Sequence, residues 1–127
     1  MQLTKKRKNT TLSSEQLSLL VIQGMQEKKA EDIVILDLRN VKNAVTDYFV
    51  ICSGNSDTQV DSITNSIEEQ VYKIIGEDPW HKEGKANREW ILLDYVDVVA
   101  HVFKKDRREF YSLEDLWGDA LSVKVDS

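Results

Sequence analysis

One cysteine, one proline, two histidines and five glycines in 127 residues each close off a class of protein. Cys52 stands alone in an apolar run, which offers no disulfide framework and suits a reducing cytoplasm and a buried, inert thiol. Two histidines and a single cysteine leave a structural zinc site almost without ligands. No apolar run approaches the roughly 18–20 residues of a membrane span. Where a signal peptide would place its apolar core, Lys5-Lys6-Arg7-Lys8 gives way to Asn9-Thr10-Thr11. The phosphate-gripping patterns G-x-x-x-x-G-K-[ST] and G-x-G-x-x-G are both missing, as are internal repeats and low-complexity segments.

What is present fits one domain with a modest core, at 41% hydrophobic and 31% charged residues. Charge is unevenly spread: the formal total is −5, and since residues 5–8 carry +4 the remainder carries −9. An acidic body speaks against a broad nucleic-acid face, whose affinity rests on neutralising phosphates. It suits a protein that docks on a basic partner. Lys5, Lys6, Arg7 and Lys8 read as a solvated, disordered leader, whose other use is a minor contact with RNA once the body has docked.

Residues 46–60 are the most informative stretch. Tyr48 to Cys52 is a continuous β-branched and aromatic run, as in a strand covered on both faces. Gly54 breaks it, and Asn55, Ser56 or Asp57 offers an oxygen to cap the helix that follows. A buried strand entering a capped helix makes the chain α/β in character. That strand-to-helix corner reads as structural rather than as a phosphate site, because it holds one glycine and no following lysine.

Upstream, Ser13 or Ser14 caps a helix with Leu17, Leu20, Val21, Gly24 and Met25 on one face. Ile33 to Leu38 is a strand, and 40–44 a turn. The second helix runs from about 57 to 75, with Val60, Ile63, Ile67, Val71 and Ile74–Ile75 as its buried stripe. Gly76 ends it and Pro79 prevents a restart. Residues 80–89 hold a short edge strand and a loop, and 90–95 and 97–104 form an antiparallel hairpin. Asp106-Arg107-Arg108 interrupts. Ser112 then caps a short helix over 112–117, with Asp115 in the acidic place of a weak capping box. The order α-β-β-α-β-β-β-α predicts a mixed sheet with helices packed against it. Residues 1–12 are the leader, 13–120 a single domain and 121–127 a tail.

His101 is the first candidate for chemistry. Strand parity puts Asp97, Val99, His101 and Phe103 on one face, and Val98, Ala100 and Val102 on the other. A Ser53–His101–Asp94 triad can be drawn, but Ser53 lacks the G-x-S-x-G elbow. Asp94 and Asp97 flank a turn and do not form a single-face pair for a magnesium ion. His81, in a polar segment, reads as simply exposed. The aromatics say more: Trp90, Tyr95, Tyr111 and Trp117 are interleaved with Asp94, Asp97, Arg107, Arg108 and Glu114. Trp, Tyr and Arg dominate interface hot spots, so this stretch favours a binding module over an enzyme, with Tyr95 at the hairpin tip hardest to bury.

Four blocks together carry a resemblance: Thr46 to Gly54, Glu83-Gly84, Trp90 to Phe103 around Asp94-Tyr95 and Asp97-Val98-Val99-Ala100-His101, and Arg108-Glu109-Phe110-Tyr111-Ser112-Leu113-Glu114-Asp115-Leu116-Trp117. Over residues 14–120 the chain resembles the Iojap-related ribosomal silencing factors. That resemblance implies a mixed five-stranded sheet with flanking helices, related in shape to nucleotidyltransferases but without their catalytic residues. It implies a non-enzymatic factor with no cofactor and no metal, often a homodimer when free. Such a factor binds the large ribosomal subunit at its protein number fourteen and sterically blocks joining of the small subunit when nutrients are scarce. Carried over by position, the partner-facing residues are Trp90, Asp94, Tyr95, Asp97, His101, Arg108 and Tyr111, with Leu116 and Trp117 nearby. A role in large-subunit maturation would use the same surface, and a nucleotidyltransferase-type enzyme using Asp94, Asp97 and His101 is the remaining alternative. The family usually has glycine where this chain has Val96. A β-branched residue tolerates positive φ poorly, so the turn there is expected to use another geometry.

Overall fold

Two parallel strands set the frame of the computed structural model, which describes residues 12–125 and, within them, no side chain for Phe110 or Tyr111. β2 (Tyr48–Gly54) and β5 (Val98–Lys104) run side by side, with Phe49 beside Val99 and Ile51 beside His101. All of β2 except Phe49 and all of β5 except Lys104 is buried, which is why both read as unbroken apolar runs. β1 (Glu31–Asp37) pairs antiparallel with β2, and β4 (Trp90–Asp94) antiparallel with β5. β3 (His81–Glu83) and β6 (Leu121–Lys124) form the edges of a six-stranded sheet in the order β3-β4-β5-β2-β1-β6. The mixed sheet is as the sequence predicts, with one strand more. Leu121–Lys124, grouped by sequence with the tail, lies opposite β1 with Val123 beside Ile35. Four exposed residues give too short a pattern to distinguish a strand from a tail.

One face of the sheet carries two helices. α1 (Ser14–Glu27) opens on a reciprocal cap: the Gln16 N–H donates to Ser13 Oγ, and the Ser13 N–H donates to the Gln16 side chain. α2 (Asp57–Ile75) is capped by Ser56 and ends at Gly76 in the left-handed conformation. Leu17, Val21 and Met25 of α1 and Val60, Ile63, Ile67 and Val71 of α2 bury against Val50, Cys52, Val98, Ala100 and Val102. The predicted stripe overreaches at its end, because Ile74 is exposed. The helices cross at Gly24, where a Cβ would stand 2.6 Å from the Ile67 Cα, and Ser66 Oγ donates to the Gly24 carbonyl. Only glycine admits that approach.

The opposite face is covered less completely. Val34, Leu36, Leu38, Ile51 and Phe103 pack there with Leu113. The cover comes from α3 (Lys105–Tyr111) and α4 (Leu113–Leu116). Residues 106–108 therefore do not interrupt the structure but lie within a helix, one too polar and too short to show an apolar stripe in sequence. Ser112 does not cap with its side chain either. It sits at φ 47 between the two helices, and its Oγ donates back to the Glu109 carbonyl.

The β4–β5 hairpin closes through Tyr95-Val96-Asp97. The Asp97 N–H donates to the Tyr95 carbonyl at 3.0 Å, a three-residue turn centred on Val96 at φ 78. The expected alternative geometry is not adopted. Asp94 Oδ1 accepts the Val96 N–H at 2.7 Å, and the Tyr95 N–H donates to the Val98 carbonyl at 2.9 Å, so the neighbours hold a β-branched residue where glycine would rest freely. Val96→Gly is expected to stabilise the fold by about 1 kcal/mol, the relieved strain of roughly 1–3 kcal/mol less the roughly 0.5–1 kcal/mol of extra chain entropy of glycine. Thermal unfolding should show a midpoint raised by about 4 °C. An unchanged or lowered midpoint would show that the turn is not strained.

Candidate functional site

Where α3 and α4 stop short, four half-buried side chains surround a buried histidine. Phe49 comes from β2, Trp90 and Leu92 from β4, and Trp117 from the residue after α4, with His101 on β5 beneath them. Phe49 meets His101 edge-on at 4.5 Å between ring centroids, and Trp117 meets Phe49 at 5.7 Å and 88°. Trp90 stacks on Phe103 at 5.0 Å. The parity read from sequence holds: His101 and Phe103 lie on this face, and Val98, Ala100 and Val102 in the helix-side core.

His101 is 2% exposed, and its Nδ1 accepts the indole N–H of Trp90 at 3.0 Å. Burial pushes its pKa down to about 3, so the ring is neutral near pH 7. Asp94 and Asp97 stand half-buried at the hairpin end. One Asp94 oxygen holds the Val96 N–H, and the Asp97 carbonyl accepts from both Asp47 and Tyr48. Leu116 is 74% exposed on the last turn of α4.

Two predicted members are elsewhere. Tyr95 is 4% exposed and belongs to the helix-side core, because strand alternation turns it away from Asp94's face. Its buried hydroxyl has a raised pKa, from loss of water first and the charge of Glu68 next. The Arg108 guanidinium is 13% exposed and fully engaged within the chain. It donates to the Asp32 carbonyl at 2.6 Å, Ser53 Oγ at 2.9 Å and Glu114 at 2.8 Å, tying α3 and the start of α4 to the sheet. The Tyr111 side chain and residues 5–8 lie outside the described residues. Phe49 and Leu92 are members that the sequence reading left out. Sequence shows that Phe49 shares parity with Ile51, but the β2–β5 register that sets Ile51 beside His101 is visible only in the structure.

The drawn triad does not assemble. Ser53 Oγ accepts from Arg108, and Trp90 occupies the only histidine nitrogen with an acceptor lone pair. Cys52 is buried and its pKa raised by that burial, which makes it a poor nucleophile. A cavity of about 770 Å³ at the carboxyl end of β2 is lined by Ser53, Lys105, Arg108, Glu114 and Lys124, and its arginine is the one already engaged. Among the described residues no three His, Cys, Asp or Glu side chains are grouped to hold a metal ion, and no helix is long and apolar enough to cross a membrane. What the face presents is apolar and aromatic area edged by carboxylates, which is binding chemistry.

A family model described as "Ribosomal silencing factor during starvation" matches residues 11–127. The chain belongs to that family. It is 40% identical over 115 residues to Ribosomal silencing factor RsfS of Bacillus subtilis, an alignment covering 91% of this chain and 96% of that protein. The protein of the same name from Halalkalibacterium halodurans is 38% identical over 115 residues, covering 91% of this chain and 97% of the relative. A crystal structure from Chromobacterium violaceum superposes with a TM-score of 0.78 at 32% identity, covering 84% of this chain and 88% of the other. Membership places the chain among regulatory proteins rather than enzymes.

The buried histidine has a pH consequence. Its folded pKa of about 3 lies below the ordinary 6.5, so the unfolded chain takes up a proton that the folded chain refuses as pH falls through 6.5. The stability from this neutral ring is fully present above 6.5 and declines toward 3. Denaturant unfolding between pH 6.5 and 5 should lose about 2 kcal/mol, a window above the carboxylate range. His101→Gln should flatten that slope, and an equal slope in both proteins would exclude His101 as its source.

Proposed function

We propose that this chain docks its aromatic face on the large ribosomal subunit, at that subunit's protein number fourteen, and so blocks joining of the small subunit. Translation falls when nutrients are scarce because the docked body occupies space the small subunit needs. The mechanism is occlusion, requires no cofactor and operates in the cytoplasm.

The observation that carries this reading is the incomplete cover of the second sheet face. Phe49, Trp90, Leu92 and Trp117 are half-buried there and Leu116 is exposed. Aromatic groups of this kind gain most when a partner removes the remaining water. Asp94 and Asp97 at the rim, on a body carrying −9 outside residues 5–8, speed encounter with a basic ribosomal protein. Trp90, Trp117 and Leu116 supply burial, Asp94 and Asp97 orientation, and His101 the floor. Tyr95 and Arg108 act behind this surface, one in the helix-side core and one as a tie for α3 and α4. The free protein associates as a homodimer, and Lys5, Lys6, Arg7 and Lys8 add a minor contact with ribosomal RNA.

Sedimentation of purified large and small subunits with the protein, in magnesium that favours joining, is the direct test. Co-migration with the large subunit and loss of the joined particle are expected. Trp90→Ala and Trp117→Ala should each weaken docking by about 2 kcal/mol, roughly thirtyfold, with the fold retained. Co-migration with joining intact would mean a role in subunit maturation, and normal docking by the folded double variant would remove this face from the mechanism.

A further inference from the structure

At the floor of the aromatic face lies a polar atom without a partner. The Trp90 indole is a donor only, so its 3.0 Å contact makes His101 Nδ1 the acceptor. A neutral imidazole that accepts at Nδ1 carries its proton on Nε2. That Nε2 is buried and has no oxygen or nitrogen acceptor among the described residues. Buried donors without acceptors are rare, and each disfavours the state that contains it. The Phe49 ring and the imidazole meet in a T-shaped contact with centroids 4.5 Å apart, and a contact with an aromatic ring is a much weaker substitute for a carbonyl oxygen.

Resting on the docking reading above, the geometry points to His101 Nε2–H as a hydrogen-bond donor reserved for the docked partner, which supplies a carbonyl oxygen to it. A neutral carbonyl fits better than a carboxylate, because the Phe49 and Trp90 rings lie against the imidazole and the surrounding body is acidic. The atom is closed to solvent in the free chain, so the acceptor reaches it when the half-buried Phe49 or Trp117 ring turns aside. Trp90 has two roles here. Its ring is contact area, and its N–H fixes the tautomer that leaves Nε2 protonated. The donor selects among partners, since a surface with apolar area alone leaves it unmet.

The test combines the ring's tautomer in the free protein with docking of two variants. Nitrogen-15 spectra of the histidine ring should show the proton on Nε2 and Nδ1 bare. His101→Gln retains an acceptor for the indole and a donor for the partner, and should dock on large subunits within about threefold of the parent. His101→Phe removes the donor and should dock about tenfold more weakly, the loss of one hydrogen bond, with its thermal midpoint within a few degrees of the parent. A purely structural histidine would lose stability and docking together, or stability alone. A proton found on Nδ1, or a folded His101→Phe that docks as the parent does, overturns the inference and leaves the docking reading standing. Should His101→Phe fail to fold, the tautomer and a docking defect in His101→Gln well beyond threefold each remain able to refute it. If the parent protein itself does not sediment with large subunits, the docking reading fails first.

Discussion

The parallel pairing of β2 with β5 is the constraint from which the remaining architecture follows. Parallel neighbours cannot be joined by a tight turn, so the chain must cross over between them, and it does so through α2, β3 and β4. Strands buried on both faces must also be covered on both faces. On one side α1 and α2 meet this demand fully, locked by the Gly24–Ile67 approach and the Ser66 hydrogen bond. On the other side the cover is made of α3, four residues of α4 and the segment leading to β6. Among the described residues it is too small for the sheet beneath it. The aromatic face is the part of that demand left unmet among the described residues, and it is continuous with the core through Phe103, Trp90 and Phe49.

How much of this was legible in the sequence depends on how long a pattern each element had in which to declare itself. The strand over 48–54, the helix over 57–75 and its Gly76 stop are long or chemically marked, and they fall within two residues of where sequence placed them. Ser13 with Gln16 and Ser56 with Gln59 are caps that residue type alone suggests. The losses are the short polar pieces. Lys105–Tyr111 opens on five polar residues and is tied to the sheet through Arg108. Leu121–Lys124 is exposed throughout and gains its identity from β1. Neither tie is local, so neither was visible in a local reading.

Of the candidate residues, the structure leaves Trp90 and Trp117 half-buried on one sheet face and carries others elsewhere, because a hairpin tip is not by itself exposed. Alternation carries Tyr95 to the helix side, and the tight turn at Val96 lets it stay there. Arginine likewise has two uses that sequence cannot separate. At 108 its planar fork holds a backbone carbonyl, a hydroxyl and a carboxylate at once, which a partner-facing arginine could not do.

Catalysis and docking make opposite demands on polar groups, and the distribution of those groups here separates them. An enzyme must keep its nucleophile, base and charge-stabilising donors free to act on a substrate. In this chain the hydroxyl of Ser53 is held by Arg108, an Asp94 oxygen by the Val96 amide, and the basic nitrogen of His101 by an indole that cannot give it up to a proton without losing its own acceptor. Each candidate group stabilises the scaffold at the point where chemistry would need it loose. The atom left unpaired at the floor of the face is a donor on a ring that stays neutral, and a neutral donor walled by aromatics is suited to recognising an oxygen rather than to moving a proton. The mixed sheet is thus a frame in which these polar groups are spent on holding the aromatic face in place.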